Sequence, residues 1–212
     1  NEIEYAQIEI EAGKLSLDRS KMFDQLYSIG DEKISYAAMA VHHILEADIV
    51  DQPNFGTFTL PTETVYIIGH NIDYDIRAIQ TCGVDTQHIK AICTLAIARL
   101  VWPDAEAHNI SALIYMISKG SEKAREMLKG AHRADADIIL TANILMHIVH
   151  KLNIQTIEAL FEASEDARIP RSINFGKHRG TAIVDLPSDY VQWLMRQEDL
   201  DPYLRKALEL RI

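Results

Sequence analysis

Residues 65–69 (VYIIG) form an unbroken apolar run of strand length, and Asn71 stands two positions later, where a helix can begin. A run of that kind suits a strand covered on both faces, and a covered strand feeding straight into a helix is the repeating unit of layered α/β domains. The flanking segments agree. Residues 3–10 alternate Ile8 and Ile10 with Glu9 and Glu11, Gly13 supplies a turn, and residues 23–28 return as the second strand of a hairpin. Ser35 is placed to cap a short helix ending near His42 and His43, and Asn71 to cap one that reaches Cys82 and is stopped by Gly83. Further helices are predicted over 94–101, 110–117 and 122–128. The longest runs over about 133–151, where Ile138, Ile139, Ile144, Leu145, Ile148 and Val149 recur at helical spacing. One more amphipathic helix covers 154–167, the polar SEDARIPRS stretch reads as a linker, and a compact tail follows.

With 212 residues, 48% of them apolar, the chain can bury a substantial core. Its organisation reads as a domain over 1–152, a helix and linker over 153–171, and a small module over 172–212. No apolar stretch approaches the roughly 18 residues of a membrane-spanning helix. Cys82 and Cys93 lack metal-site spacing and read as small buried residues in a reducing compartment. The chain opens on Asn1 with no basic-then-apolar leader, so the expectation is a soluble, cytoplasmic protein without a membrane partner, and possession of no initial Met suggests a fragment.

The formal charge of −10 is unevenly spread: residues 1–150 carry 12 Lys and Arg against 21 Asp and Glu, and residues 151–212 carry 9 against 10. Such an excess of carboxylates is a poor general surface for a phosphate backbone, whose binding depends on cationic side chains displacing counterions. Nucleic-acid contact must then be local. One segment qualifies, residues 171–184 (RSINFGKHRGTAIV), with Arg171, Lys177 and Arg179 and no acid; a solvated turn with incidental charge is the competing account. Gly176 and Gly180 bracket Lys177 to Arg179 in a turn able to hold a phosphate, and Tyr190 and Trp193, three apart on the next helix, read as the module's core or, alternatively, as rings that stack on a base.

Two constellations carry chemistry. In GHNIDYD (69–75), polar groups follow the covered strand at its carboxyl end, where α/β domains place their sites. Asp73 and Asp75 lie about 200° apart around a helix, so one of them at most faces a shared site. A plain capping role for Asn71 and Asp73, with Asp75 solvated, is the alternative. In HRADAD (132–137), opening the longest helix, a five-residue step rotates about 140°, so His132 meets Asp137 only from a loop before the helix. Asp135 serves equally as a first-turn acid against the helix dipole, and His132 alone reads as a surface residue. Together, two carboxylates from separate elements and one imidazole match the needs of a metal-dependent phosphodiesterase: hard oxygen ligands for Mg²⁺ or Mn²⁺ and a base for water. Two Asp residues are few for two ions.

GHNIDYD resembles the second motif, and HRADAD the third, of the DnaQ-like 3′–5′ exonucleases of the DEDD type, in the subclass whose third motif carries His. IKAICTLAIARLVWP resembles the family's middle stretch and ISYAAMAVHHILEADIV its "is…A…iHgIt" segment, so four ordered matches cover about residues 2–150. The tail INFGKHRG resembles a small FGKxRG module found in one branch of that family. The resemblance implies a ribonuclease H-like mixed central sheet flanked by helices, plus a small C-terminal α+β module. It implies 3′–5′ hydrolysis of single-stranded or frayed DNA with two Mg²⁺ ions (Mn²⁺ as alternative), Asp75 and Asp137 as ligands and His132 as general base. His42, His70, Asn71, Lys177 and Arg179 correspond to substrate-side positions. At His42 the family's Gly-Ile-Thr becomes His43, Ile44 and Leu45, which removes a hydroxyl contact, and a His satisfied by backbone is the other reading.

The family's first motif, an Asp-x-Glu pair, lies on a strand upstream of a segment resembling residues 1–15. Glu9 and Glu11 alternate outward and read as solvated, so half the acidic set is absent from the 212 residues. Two accounts follow: an N-terminal stretch is missing from the chain as given, or the chain is a relative without the reaction. The competing functions are a catalytically incomplete nucleic-acid-binding protein and an RNA-trimming exonuclease. Oligomeric state is not legible.

Overall fold

The computed structural model describes residues 2–129 and 134–211. β1 (Glu2–Glu11) and β2 (Lys14–Leu26) form an antiparallel hairpin in which Glu11 faces Lys14. The two residues between them, Ala12 and Gly13, have φ of 48° and 76°, the doubly positive turn whose twist matches that of the flanking strands. Gly13 adopts it freely. Ala12 does so at a cost of about 1–2 kcal/mol, because its Cβ crowds the next carbonyl. The return strand thus begins at Lys14, earlier than the expected 23–28, since Leu15 and Leu17 continue the alternation directly from the turn. Register breaks between Tyr5 and Gln7, and residues 19–22 bulge from the ladder; there Asp18 Oδ1 accepts from the Ser20 amide (3.0 Å) and hydroxyl (2.6 Å). Glu9 and Glu11 are exposed, as their alternation requires.

α1 (Tyr36–His42) starts as expected at Ser35, whose hydroxyl accepts from the Ala38 amide at 3.2 Å. After α2 (Glu46–Ile49) comes β3 (Tyr66–Gly69), then α3 (Ile72–Thr81), then β4 (Lys90–Cys93), which pairs with β3 in parallel. Gly83, at φ 85°, ends α3 where the sequence placed its stop. Tyr27, Phe58 and Cys82 form a buried cluster with Ile79 of α3 packed on it, together with Ile3, Tyr5 and Phe23 of the hairpin. α4 (Thr94–Val101) follows β4 without a loop, and Asn109 and Ser121 cap α5 (Ile110–Ile117) and α6 (Glu122–Leu128). α7 (Ala134–Lys151) buries Leu140, Ile144, Leu145, Ile148 and Val149 and packs against α4, α5, α6 and both hairpin strands.

The architecture is α/β. Its described strands form two separate pairs, β1–β2 and β3–β4, where one mixed central sheet was expected; no backbone ladder joins the pairs among the described residues. Among the same residues no helix is long and apolar enough to cross a membrane. Both cysteines are buried, and neither is in a disulfide.

The chain divides into two compact units, Asn1–Phe161 and Glu162–Ile212. α8 (Ile157–Arg168) continues through much of the polar stretch read as a linker. Its last turns are fixed by a polar network rather than by apolar periodicity. Tyr203 donates to Glu165 Oε1 at 2.8 Å, and Arg168 donates to the Tyr203 hydroxyl at 3.1 Å. The second unit continues with single 3₁₀ turns at Gly176–His178 and Ile183–Asp185, then α9 (Ser188–Met195) and α10 (Pro202–Leu210). Its only pairing among the described residues is one antiparallel bridge, Ser172 with Ala182, so it is a helical module where an α+β one was expected. Ile173, Ile183, Leu186, Leu194, Leu204, Ala207 and Leu208 make its core. Tyr190 only flanks that core and Trp193 stays 51% exposed, so aliphatic side chains, not the two rings, close it.

Two outcomes follow from this packing. Ala12→Asn, which suits a positive φ beside Gly13, raises the free energy of unfolding by about 0.5–1 kcal/mol in urea titrations. Burial, then the bond to Glu165, push the Tyr203 hydroxyl from an ordinary 10.0 up to about 12. The folded state thus favours the neutral phenol; that stabilisation is complete below pH 10 and is lost as pH rises toward 12. Urea midpoints of the wild type should fall more steeply across this window than those of Tyr203→Phe, and parallel slopes would place the phenol elsewhere than in this network.

Candidate active site at the end of a parallel strand

β3 ends at Gly69, where a Cβ would lie 2.7 Å from Ile72 Cδ1 and 3.3 Å from Asp75 Oδ2. Glycine is what lets the first turn of α3 fold back so closely. Asn71 makes the reversal in the left-handed region, φ 73° and ψ 43°, which Asn tolerates better than most residues. Its expected cap bond is not made: no side-chain hydrogen bond closes this helix end, because a left-handed residue does not aim its side chain at the first amides. The chain reversal itself is the role Asn71 fills. Ile72, 1% exposed, anchors the first turn in the core. Asp75, three residues on and hence on the same helical side, is thereby brought back to the strand end.

His70 is held at both ring nitrogens. Nε2 lies 2.7 Å from the His108 carbonyl and Nδ1 3.1 Å from the Thr94 hydroxyl. Burial depresses its pKa, so the neutral ring donates from Nε2 and accepts at Nδ1. The hydroxyl proton is shared between Nδ1 and the Gly69 carbonyl, 3.2 Å from Thr94 Oγ1, and Thr94 is fully buried. His108 in turn reaches the Trp102 carbonyl from Nε2 at 2.9 Å. His70 therefore ties the end of β3 to the start of α4 and to the 102–109 loop, with no ring nitrogen left for a substrate. Sequence reasoning missed Thr94 and His108. Thr94 was findable, since it follows Cys93, the parallel partner of Gly69; His108 carries no signal of its own.

The Asp75 carboxylate is open to solvent yet crowded by surrounding protein, and that loss of hydration raises its pKa above the carboxylate norm; its own backbone amide opposes the shift. No Lys or Arg forms an ion pair with it among the described residues. Asp73 is exposed on another side of α3. Asp137, exposed near the start of α7, has its electrostatic neighbours on the hairpin: Glu2 is raised by burial and then by repulsion from Asp24 and Asp137. α3 packs against β3 and β4, whereas α7 packs against β1, β2 and the helices α4 to α6. No hydrogen bond joins Asp75 to Asp137, and no group of three or more His, Cys, Asp or Glu side chains is gathered for a metal among the described residues. His132 lies outside the described residues. His42 is half-buried and accepts the Ile44 amide at Nδ1 (2.9 Å), with its pKa lowered by burial, which is the backbone-satisfied arrangement. Lys177 and Arg179 are exposed in the second unit.

A family model described as "Putative quorum-sensing-regulated virulence factor" matches residues 167–210. "Exodeoxyribonuclease 10" of Escherichia coli (strain K12) is 27% identical over 213 residues, covering 98% of this chain and 90% of that protein. "3′-5′ exonuclease DinG" of Staphylococcus epidermidis is 24% identical over 79% of this chain, which spans only 19% of that protein. A solved structure titled "Exonuclease X in complex with 5′ overhanging duplex DNA" matches with a TM-score of 0.55 at 26% identity, covering 76% of this chain and 90% of that one. Motifs, sequence relatives and fold agree in supporting a likeness to the DnaQ-like exonucleases, with similarity over nearly the whole chain to exodeoxyribonuclease 10.

Proposed function

We propose that this protein is a nuclease that removes nucleotides from the 3′ end of DNA, on a ribonuclease H-like framework. The observation that carries the reading is Asp75: a carboxylate returned to the end of a parallel strand, raised in pKa by loss of hydration and without a cationic partner among the described residues, in a chain similar to two exonucleases. His132 takes the proton of the attacking water, whose oxygen displaces the 3′ oxygen at the terminal phosphodiester in line. Gly69, Asn71 and the His70 network hold Asp75 in place, and Lys177 and Arg179 meet backbone phosphates.

The donor set suits Mg²⁺ or Mn²⁺ in kind, since Asp75 and Asp137 offer hard carboxylate oxygens. It is short in number, with no three ligating groups together among the described residues. Bound by these two residues, such ions supply Lewis-acid stabilisation of the phosphate oxygens. The same shortage favours a second reading, nucleic-acid binding without hydrolysis. A 5′-overhanging duplex, the ligand in the related structure's title, has a recessed 3′ end, so duplex ends join single strands as substrates to test.

The experiment is a gel assay of the full encoded protein on 5′-labelled DNA, single-stranded and 5′-overhanging, with Mg²⁺ or with chelator. Stepwise shortening from the 3′ end in Mg²⁺, absent in chelator, is expected; intact strands in both would leave only the binding reading. His132→Ala should slow cleavage by roughly 10²–10⁴ while leaving the affinity for DNA unchanged. Equal rates would take His132 out of the chemistry.

A further inference from the structure

Three rings of the second unit form a ladder. His178 and Tyr190 have centroids 4.3 Å apart, and Tyr190 and Trp193, stacked at 22°, lie 5.5 Å apart. The order is set by α9, where a three-residue step puts Tyr190 and Trp193 on one side, and by the 3₁₀ turn at Gly176–His178 lying against Tyr190. Gly176 is left-handed at φ 60°, and a Cβ there would stand 3.6 Å from the Tyr190 hydroxyl oxygen. The inner rung is packed in: His178 Nε2 is buried with no hydrogen-bond partner among the described residues, and the ring lies against Tyr190. The outer rung is open, with Trp193 51% exposed. Since the core of this unit is aliphatic, the ladder is not needed to close it.

Charge selects the ligand for the open face. Lys177 Nζ sits 5.6 Å from the Tyr190 centroid, Lys177 and Arg179 are both exposed, and residues 171–184 contain no acid in a protein that is otherwise strongly acidic. A flat aromatic face beside exposed cations suits a planar base attached to phosphates; an apolar peptide would use the ring and leave the cations idle. We propose that the His178–Tyr190–Trp193 ladder is a stacking platform for an unpaired nucleobase, with Lys177 and Arg179 on the flanking phosphates of the same strand. The platform is independent of the hydrolytic reading, because it involves neither Asp75, Asp137 nor His132 and requires no metal.

The test is therefore run in chelator, where cleavage is stopped. The protein has two tryptophans, so Trp102→Phe leaves Trp193 as the single indole reporter. Titration with oligothymidylate should quench its fluorescence, and an abasic oligonucleotide of equal length and charge should bind far more weakly. By anisotropy of labelled oligothymidylate, Trp193→Ala should weaken binding by about 5- to 150-fold and Trp193→Phe by much less, because a stacking face is retained. Lys177→Ala with Arg179→Ala should flatten the slope of log affinity against log salt by about 1.4, two contacts on a single strand. Equal affinity for the abasic strand, or binding that leaves Trp193 fluorescence unchanged, overturns the platform, and both readouts hold even where Trp193→Ala fails to fold. An unchanged salt slope overturns the phosphate contacts.

Discussion

A missing side chain at residue 69 governs the geometry of the first unit's strand end. The 2.7 Å separation that a Cβ would have from Ile72 Cδ1 is well inside van der Waals contact, and Ile72 cannot yield because it is buried in the core. Were it displaced, the first turn of α3 would lose its anchor and the Asp75 carboxylate its approach to the strand. Backbone conformation thus places the acid, and hydrogen bonds then lock the place. Thr94 and His70 bind the same strand end to α4 and to the 102–109 loop, in a buried setting where such bonds are stronger and unmade ones costlier than in water.

Much of this was legible in the sequence, for reasons that differ by element. The apolar run at 65–69, the stop at Gly83, the Ser35 cap and the long helix ending at Lys151 all rest on local rules, and the structure keeps them. What local rules could not supply was nonlocal. Asn71 reads as a cap in sequence because Asn is a common cap; its left-handed turn is imposed by the close return of α3 to Gly69. The SEDAR stretch reads as a linker because it is polar. It is helical because Tyr203, 38 residues beyond Glu165, supplies the partner for that polarity. Tyr190 and Trp193 read as core because rings usually are, and only the aliphatic packing of Ile173, Leu194 and Leu204 shows that they were not required there.

The carboxylates divide into two electrostatic settings. Asp75 is shifted by loss of hydration, with no charged neighbour contributing. Glu2 is shifted by burial together with repulsion from Asp24 and Asp137. For both acids the folded state disfavours the ionised form, so each opposes folding more as pH rises above the ordinary carboxylate range. A fold that retains such groups carries a small electrostatic cost that a bound cation would relieve, which agrees with the proposed use of Asp75. The same cost would persist unrelieved in a protein that only binds. Electrostatics alone does not choose between them; the state of the substrate's terminal bond does.

An acidic protein that handles nucleic acid faces a physical conflict, since its own field repels the backbone it must retain. With 12 cationic side chains against 21 acids in residues 1–150, counterion release cannot be the main source of affinity there. Two remedies are available to such a chain. One is to confine positive charge to a short acid-free turn, as at Lys177 and Arg179. The other is to take affinity from a source that ionic strength barely screens, and stacking of a base on an exposed indole is such a source, because it acts on the uncharged part of the strand. Placed side by side on the 3₁₀ turn and α9, the two remedies would be complementary under the proposed platform: two cations hold a strand weakly, and stacking requires a base that is already unpaired. On the proposed platform, a preference for unpaired ends and single strands would follow from the placement of the rings beside the cations.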